Sequence, residues 1–424
     1  MEMVQVVFLT VLVFFVLVTI HEWGHYYFAK RAGILVREFA IGFGPKVFSH
    51  KRDETRFTLR LLPLGGFVRM AGEDPEIVEV QPGQTVALRL DGNKVTKLFL
   101  DQLDLRKNVV RGEVEHIDLE HTLKVRLQVE GEVVTYDIHP KAMMVLKGQD
   151  IQIAPFERQF GSKTVAQRAL SIFAGPLMNF ILAFVLFIAY ILQMGVPVEN
   201  PTHVRLADVS DDKPAARAGL LKGDLVEQIN GIPIGADINK LVTLISESEG
   251  KEMTWVVLRG QERLEVKLTP EHIKGHQGGK VGITPSTPMR SASFTETFKF
   301  AGKAMVNTTE RIFEGFRMLI FGQFTLDDLG GPVRTFELTG QIASKGIEQL
   351  TYWAAILSLY LGIFNLLPIP ALDGSRLVFL GIEALRGRPV DPNRESTVHF
   401  IGFAMIMLLM LVVTYNDILR LVKG

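Results

Sequence analysis

His21 and His25 stand four residues apart, with Glu22 directly after the first, in the run His21-Glu22-Trp23-Gly24-His25. On a helix, side chains four apart lie one above the other on the same face, so both imidazoles can reach one divalent cation. Glu22 projects beside them, where a carboxylate can act as general base on a water that the metal activates. The chain contains no cysteine, so any zinc site must be built from histidine and carboxylates. A catalytic zinc takes three protein ligands and keeps one position open. The extended HExxHxxGxxH pattern is absent. The best third ligand lies far downstream, in Asn365-Leu366-Leu367-Pro368-Ile369-Pro370-Ala371-Leu372-Asp373-Gly374. There Asp373 follows two prolines that remove amide donors and precedes a glycine that permits a tight turn. The chemistry implied is metal-assisted hydrolysis.

The element that must carry the first two ligands is a helix of unusual composition. Val4 to Ile20 is almost wholly apolar, and the pattern continues through Ala29 to Lys30. That is about 25 residues, enough to cross a hydrocarbon core of about 30 Å. A charged group near the centre of such a helix costs about 2–3.5 kcal/mol, so two histidines and a glutamate there call for a function. The start lacks a basic leader and a small-residue cleavage site, so it reads as a retained span rather than a signal peptide. Four spans are expected: residues 1–30, 169–195, 350–375 and 398–416. Lys and Arg cluster after the first span, from Lys30 to Arg60, and again at Arg386, Arg388 and Arg394. This places the N-terminus outside and the following segment in the cytosol. Arg420 and Lys423 would then lie outside, against the rule. At 1.5 Å per residue the metal sits about 7–14 Å inside the cytosolic boundary.

Between the spans, residues 31–83 form a membrane-associated β region. Arg56 to Met70 alternates and turns at Gly65-Gly66, which suggests a bent strand pair dipping into the membrane beside the metal. Residues 84–168 are polar and β-rich, a small cytosolic module in which His116, His121 and His139 lack ligand spacing. Residues 200–288 alternate strands with an amphipathic helix over Ile238–Ser248, a sheet with an edge that could take an extended peptide. Residues 291–349 read as an amphipathic helical connector.

Together these motifs resemble the site-2 protease family of intramembrane zinc metalloproteases, most closely its Gram-positive bacterial form. They are HExxH in the first span and Gly175-Pro176-Leu177-Met178-Asn179 in the second. The Asn365 to Gly374 run follows in the third, with a Gly219-Leu220…Gly223-Asp224…Ile229-Asn230-Gly231 PDZ pattern between them. The resemblance covers nearly the whole chain. It implies a polytopic α-helical membrane protein of four transmembrane helices, with a membrane-associated β-hairpin and one inserted extracytoplasmic PDZ domain. It implies Zn2+ on His21, His25 and Asp373, with Glu22 as the catalytic base. Gly66, Phe67, Val68 and Asn365 are linked by the resemblance to substrate handling, and Asn179 belongs to the second-span motif with a direct active-site role in view. The substrates implied are single-span proteins of the bacterial cell membrane, anti-sigma factors and signal-peptide remnants among them, trimmed first by an upstream site-1 protease. Gram-negative members carry two PDZ domains in tandem; one is evident here.

Three rivals remain at this level. A non-catalytic PDZ scaffold would leave the metal site vestigial. A membrane protease acting on cytosolic or misfolded proteins would draw its third ligand from Glu73 or Glu76. A zinc transporter would need more intramembrane carboxylates than the other spans hold. The 46 basic and 46 acidic residues cancel, so nothing electrostatic points to nucleic acid.

Overall fold

Among the described residues, four helices are long and apolar enough to cross a membrane. The structure, a computed structural model, describes residues 3–73, 80–272, 278–322 and 330–423. Helix α1 (Met3–Arg31) buries Thr10, Leu17, Val18, His21, Glu22, Gly24, His25 and Ala29. That spacing makes one stripe, so the polar residues lie on the packed face while Val4, Phe8 and Leu12 stay exposed. Next come strands β1 (Val36–Arg52) and β2 (Thr55–Met70). Each folds over on itself. Ile41 pairs with both Leu59 and Gly66, and Phe48 also pairs with Leu59. The result is four short runs in the order 45–52, 55–62, 36–44, 65–70, the two outer pairings antiparallel and the middle one, Phe39 opposite Phe57 and Ile41 opposite Leu59, parallel. Gly42, Gly44 and Gly65 take φ of +89, +85 and +102 at the bends, a region that suits glycine. The expected turn at Gly65-Gly66 is therefore one of several bends, and the tight reversal between the two strands is at residues 53–54. Phe43, Val47, Phe48, Leu61 and Leu62 form an exposed apolar patch on this sheet.

Strands β3 (Thr85–Asp91), β4 (Lys94–Phe99), β5 (Val110–Asp118), β6 (Lys124–Val129), β7 (Glu132–Leu146) and β8 (Gln149–Gln152) form a separate sheet. A parallel pairing of β4 with β7, Val95 opposite Ile138 and Leu98 opposite Met144, closes the first five into a small barrel. Closure removes the open edges, and Val86, Leu88, Val114, Val125 and Leu127 fill the interior.

Helix α2 (Val165–Met194) leads into a second compact unit, residues 188–303. It begins with β9 (Val196–Pro197) and β10 (Val204–Val209), then the short α3 (Pro214–Arg217), β11 (Leu225–Ile229), β12 (Ile232–Pro233) and α4 (Ile238–Glu247). Strands β13 (Met253–Arg259), β14 (Glu262–Leu268), β15 (Glu271–His272), β16 (Gly279–Lys280), β17 (Ile283–Ser286) and β18 (Met289–Arg290) complete it. The main sheet runs β14-β13-β11-β10-β17, with β17 at one edge. Trp255, Leu206, Leu220, Leu241 and Met253 make its core. Asp224 caps the loop at Leu221 and accepts two bonds from Arg259 at 2.8 Å; those partners hold its carboxyl below the usual range against the opposing effect of burial.

Helices α5 (Phe294–Ile320), α6 (Pro332–Lys345), α7 (Ile347–Asn365), α8 (Asp373–Arg386) and α9 (Pro392–Lys423) finish the chain. α6 packs on α1 and α7, and Asp417 of α9 accepts the amides of Gly331 and Arg334 at 3.3 and 3.0 Å, capping the start of α6. The third span stops at Asn365 rather than running to residue 375, because Pro368 and Pro370 cannot continue it. Asp373 then opens a helix, α8, that the sequence did not announce. Two ion pairs hold α8: Arg168 of α2 with Glu383, and Arg376 with Glu73. Glu73 is thus committed to an arginine and is no metal ligand; Glu76 lies outside the described residues.

The sheet of β1 and β2 is tied to the segment after the barrel through Glu54, which accepts from Arg158 at 2.6 and 2.7 Å and from Gln152 at 2.8 Å. The Arg158 hydrogen bonds pull the Glu54 carboxyl down to about 2. A depressed carboxyl stabilises the fold above its unfolded value and loses that contribution as pH falls through its folded value. The melting midpoint of Glu54→Gln in detergent should therefore lie below wild type near neutrality. The gap should close as pH drops below ~4. A gap independent of pH would contradict this account.

Candidate active site

Three ligand atoms converge between α1 and the start of α8. His21 Nε2 and His25 Nε2 are 3.2 Å apart, and Asp373 Oδ2 lies 3.3 and 3.4 Å from them. Among the described residues this is the group of histidines and carboxylates that could hold a metal ion. His25 Nδ1 lies 2.9 Å from the carbonyl of Ser171, so that nitrogen carries the hydrogen and donates it. His25 Nε2 is left with a lone pair, aimed at a carboxylate oxygen that has no hydrogen-bond partner. Electron pairs facing each other at this range repel unless a cation sits among them. A tetrahedral zinc with bonds of about 2.0–2.1 Å sets its ligands about 3.3–3.4 Å apart, which these distances match. The residues fit the ion.

The local sequence explains each placement. Glycines let α1 and α2 approach at backbone distance: a Cβ at Gly24 would lie 2.7 Å from the Ala174 carbonyl carbon, and one at Gly175 would fall on the His25 ring. Helix α7 locks onto α2 through Ser358, whose hydroxyl donates to the Asn179 carbonyl at 2.8 Å. After α7 the chain makes a turn in which the Leu372 amide donates to the Ile369 carbonyl at 3.1 Å. Pro370 occupies its second position and Ala371, at φ +77, its third. This is the pattern of a type II turn, whose third position favours glycine; alanine there costs about 1–2 kcal/mol. Gly374 must be bare because a Cβ would strike the Leu366 and Leu367 carbonyls.

Glu22 is 7% exposed, on the same buried stripe as both histidines. Gly66 lies against it, since a Cβ there would come 2.8 Å from Glu22 Cγ and 3.1 Å from Oε1. The run 65–70 pairs on one side only, with residues 36–41, so its other side is an unpaired strand edge among the described residues. Phe67 carries Arg60 and Arg69 over its ring at 5.3 and 5.7 Å. Val68 packs its side chain inward among Val18, Phe39 and Ile41, while its backbone lies on the edge. Asn365 ends α7, half-buried. Asn179 is fully buried, 3.1 Å from His21 Nδ1. With its nitrogen toward His21, its oxygen Oδ1 has no partner. The opposite amide orientation sets Oδ1 against Nδ1–H and satisfies both groups.

Sequence reasoning missed Ser171 and the reason for Gly175. Ser171 acts through its backbone carbonyl, which leaves no trace in residue type. Replacing Gly175 by leucine should displace the His25 ring and cut zinc retention, measured by elemental analysis of purified protein, while Gly381→Leu, at an open position, should not. Equal zinc in the two would mean that the ring has room to spare.

With this geometry in place, the comparisons are concordant. The model of Peptidase family M50 matches residues 9–409. Regulator of sigma-W protease RasP of Bacillus subtilis is 44% identical over 99% of both chains. Zinc metalloprotease RasP of Geobacillus kaustophilus is 47% identical over 96% of both. Probable protease eep of Enterococcus faecalis is 40% identical over 97% of this chain and 98% of that one. Likeness to solved structures is local: the PDZ domain of an SdrC-like protein from Listeria monocytogenes covers 20% of this chain and 87% of that one, at 24% identity and TM-score 0.19. The chain belongs to peptidase family M50 and is a membrane-integral zinc metalloprotease.

Proposed function

We propose that this chain is a site-2-type intramembrane protease that cuts transmembrane segments of single-span membrane proteins already trimmed by an upstream site-1 protease. The observation that carries this reading is the burial of His21, Glu22 and His25, at 7–8% exposure, on one helix apolar enough to span a bilayer. Such placement suits a substrate that is itself in the membrane. Anti-sigma factors fit the class, as the sigma-W regulator name of the Bacillus subtilis relative suggests, and signal-peptide remnants fit it equally. The charge pattern supports an N-terminus outside the bacterial cell membrane, an active site near the cytosolic face, and residues 200–288 as an extracytoplasmic PDZ domain.

Zinc held by His21, His25 and Asp373 would supply Lewis acidity at the scissile carbonyl and a nucleophile at neutral pH. Glu22 takes the proton of the attacking water and returns it to the leaving amine. The Ser171 carbonyl and Asn179 Oδ1 hold the two imidazoles in the tautomer that ligates through Nε2. A membrane helix hides its carbonyls in internal hydrogen bonds and must unwind before it is cut. The unpaired edge at 65–70, with Gly66 against Glu22, offers the unwound segment a strand to pair with. The Gly66 backbone brings that strand to the base, Phe67 lines its outer face, and Asn365 binds the displaced backbone. The exposed apolar patch at Phe43, Phe48 and Leu61 keeps this sheet in the lipid.

Glu22→Gln should keep one zinc per chain yet lose cleavage of a single-span reporter by ~10²-fold or more. Residual cleavage close to wild type would remove Glu22 from the chemistry. Deleting residues 204–283 should let the enzyme cut reporters that still carry their ectodomain, followed by immunoblot in cells. Unchanged selectivity would rule out the PDZ domain as the gate.

A further inference from the structure

The carboxylate ligand of this site directly follows a turn, Ile369 to Leu372, that is strained at its third residue. Pro368 and Pro370 have no amide hydrogen, and Ala371 adopts φ +77 without being glycine. In a type II turn the amide of the third residue points away from the turn and needs an acceptor elsewhere. Here the acceptor comes from the last membrane helix. The Ala371 amide donates to Nδ1 of His399 at 3.1 Å. Ser375, just after Asp373, gives its hydroxyl to the Leu372 carbonyl at 2.8 Å, with the same His399 nitrogen 3.5 Å away. The contact is enforced one turn further along α9, where Gly402 meets the turn at backbone distance: a Cβ there would lie 2.7 Å from the Pro370 carbonyl oxygen.

We infer that His399 is a positioning residue for the third ligand: its Nδ1 lone pair fixes the Ala371 amide and so holds Asp373 against His21 and His25. The role requires the tautomer with hydrogen on Nε2, the only one that leaves Nδ1 free to accept. The surroundings agree. Among the described residues Nε2 has no hydrogen-bond partner, and the carboxylate oxygen Oε1 of Glu395 lies 3.7 Å from it. The ring leans on Phe379 of α8 at 5.6 Å, so one imidazole touches both the turn and the helix that Asp373 begins. It lines a cavity of about 900 Å³ with Arg37, Glu73, Arg376 and Glu395, outside the zinc ligand set. His399 touches none of the three ligands and takes no part in the chemistry. It acts through the backbone of the turn.

The inference rests on the zinc reading, and one experiment separates the two. Full-length protein, purified in detergent and loaded with zinc, is challenged with a chelator and the rate of zinc release is followed. His399→Phe keeps the ring shape and removes the acceptor; His399→Asn keeps an acceptor oxygen near the Nδ1 position. Release from the Phe variant should be about tenfold faster than from wild type, and the Asn variant should stay within about threefold. Release at the wild-type rate from the Phe variant, or equal acceleration in both, overturns the inference. Wild-type protein that binds no zinc at all would instead defeat the ligand assignment. If the Phe variant fails to fold, amide exchange in wild type decides: the Ala371 amide should be protected, and exchange as fast as in a free peptide overturns the proposal.

Discussion

Three electron-pair donors pointed at one another are the constraint on which the rest of this structure depends. Two imidazole nitrogens and a carboxylate oxygen stand 3.2 to 3.4 Å apart in an interior sealed by apolar helices. Without a cation this arrangement is repulsive and desolvated at once. A cation there would turn the repulsion into attraction and link residues more than three hundred positions apart in the chain. Much of the helical packing can be read as the means of keeping those three atoms in register. Glycines at 24, 175 and 362 bring backbones close enough that the ligands need not stretch. Hydrogen bonds from Ser358 and to the Ser171 carbonyl then fix rotation about the helix axes, which close packing alone leaves free.

The two ends of the ligand set are stabilised differently. His21 and His25 ride on a continuous helix, where their relative position follows from four-residue spacing and needs little support. Asp373 stands at the first position of α8, after a strained turn, and its position depends on what surrounds that turn. Ion pairs from Arg168 to Glu383 and from Arg376 to Glu73 clamp α8 to α2 and to the end of β2, while α9 presses on the turn at Pro370. Buried ion pairs of this kind add little net stability but fix geometry, because breaking either one strands a charge. The fourth membrane helix, which bears no ligand, thereby belongs to the site.

What the sequence disclosed and what it hid follow the same physics. His21, Glu22, His25 and Asp373 were legible because ionisable groups in apolar surroundings are expensive, and expense marks function. The presence of four apolar helices was legible for the related reason that lipid enforces composition over many residues, though the end of the third was not. The start of α8 was not, since prolines followed by a glycine read as a stop and carry no sign that a helix resumes at the ligand itself. The barrel escaped because its closure rests on β4 meeting β7 in parallel, a non-local pairing without a local signature. Which way Val68 and Asn179 point was not legible from the motifs that hold them. A strand alternates its faces, so of two adjacent residues only Phe67 can face outward while Val68 packs inward. His399 was invisible for another reason: one histidine in an apolar helix gives no hint that its partner is a backbone amide.

The sheet of β1 and β2 completes the physical argument, because a protease in lipid must solve two problems with one device. Its substrate has to lose helical hydrogen bonds where no water can replace them, and the scissile carbonyl has to arrive beside Glu22. On the function proposed above, an open strand edge answers the first by offering amides and carbonyls in exchange for those the helix gives up. Gly66 answers the second, since only a residue without a side chain lets that edge lie against the glutamate. The sharp bends at Gly42, Gly44 and Gly65 are what bring the edge there, turning two long strands into four short ones that fit beneath the helices. An unpaired strand edge in an aqueous protein is a liability that invites aggregation. In this chain the edge at 65–70 instead lies against buried Glu22, on the packed face of an apolar helix.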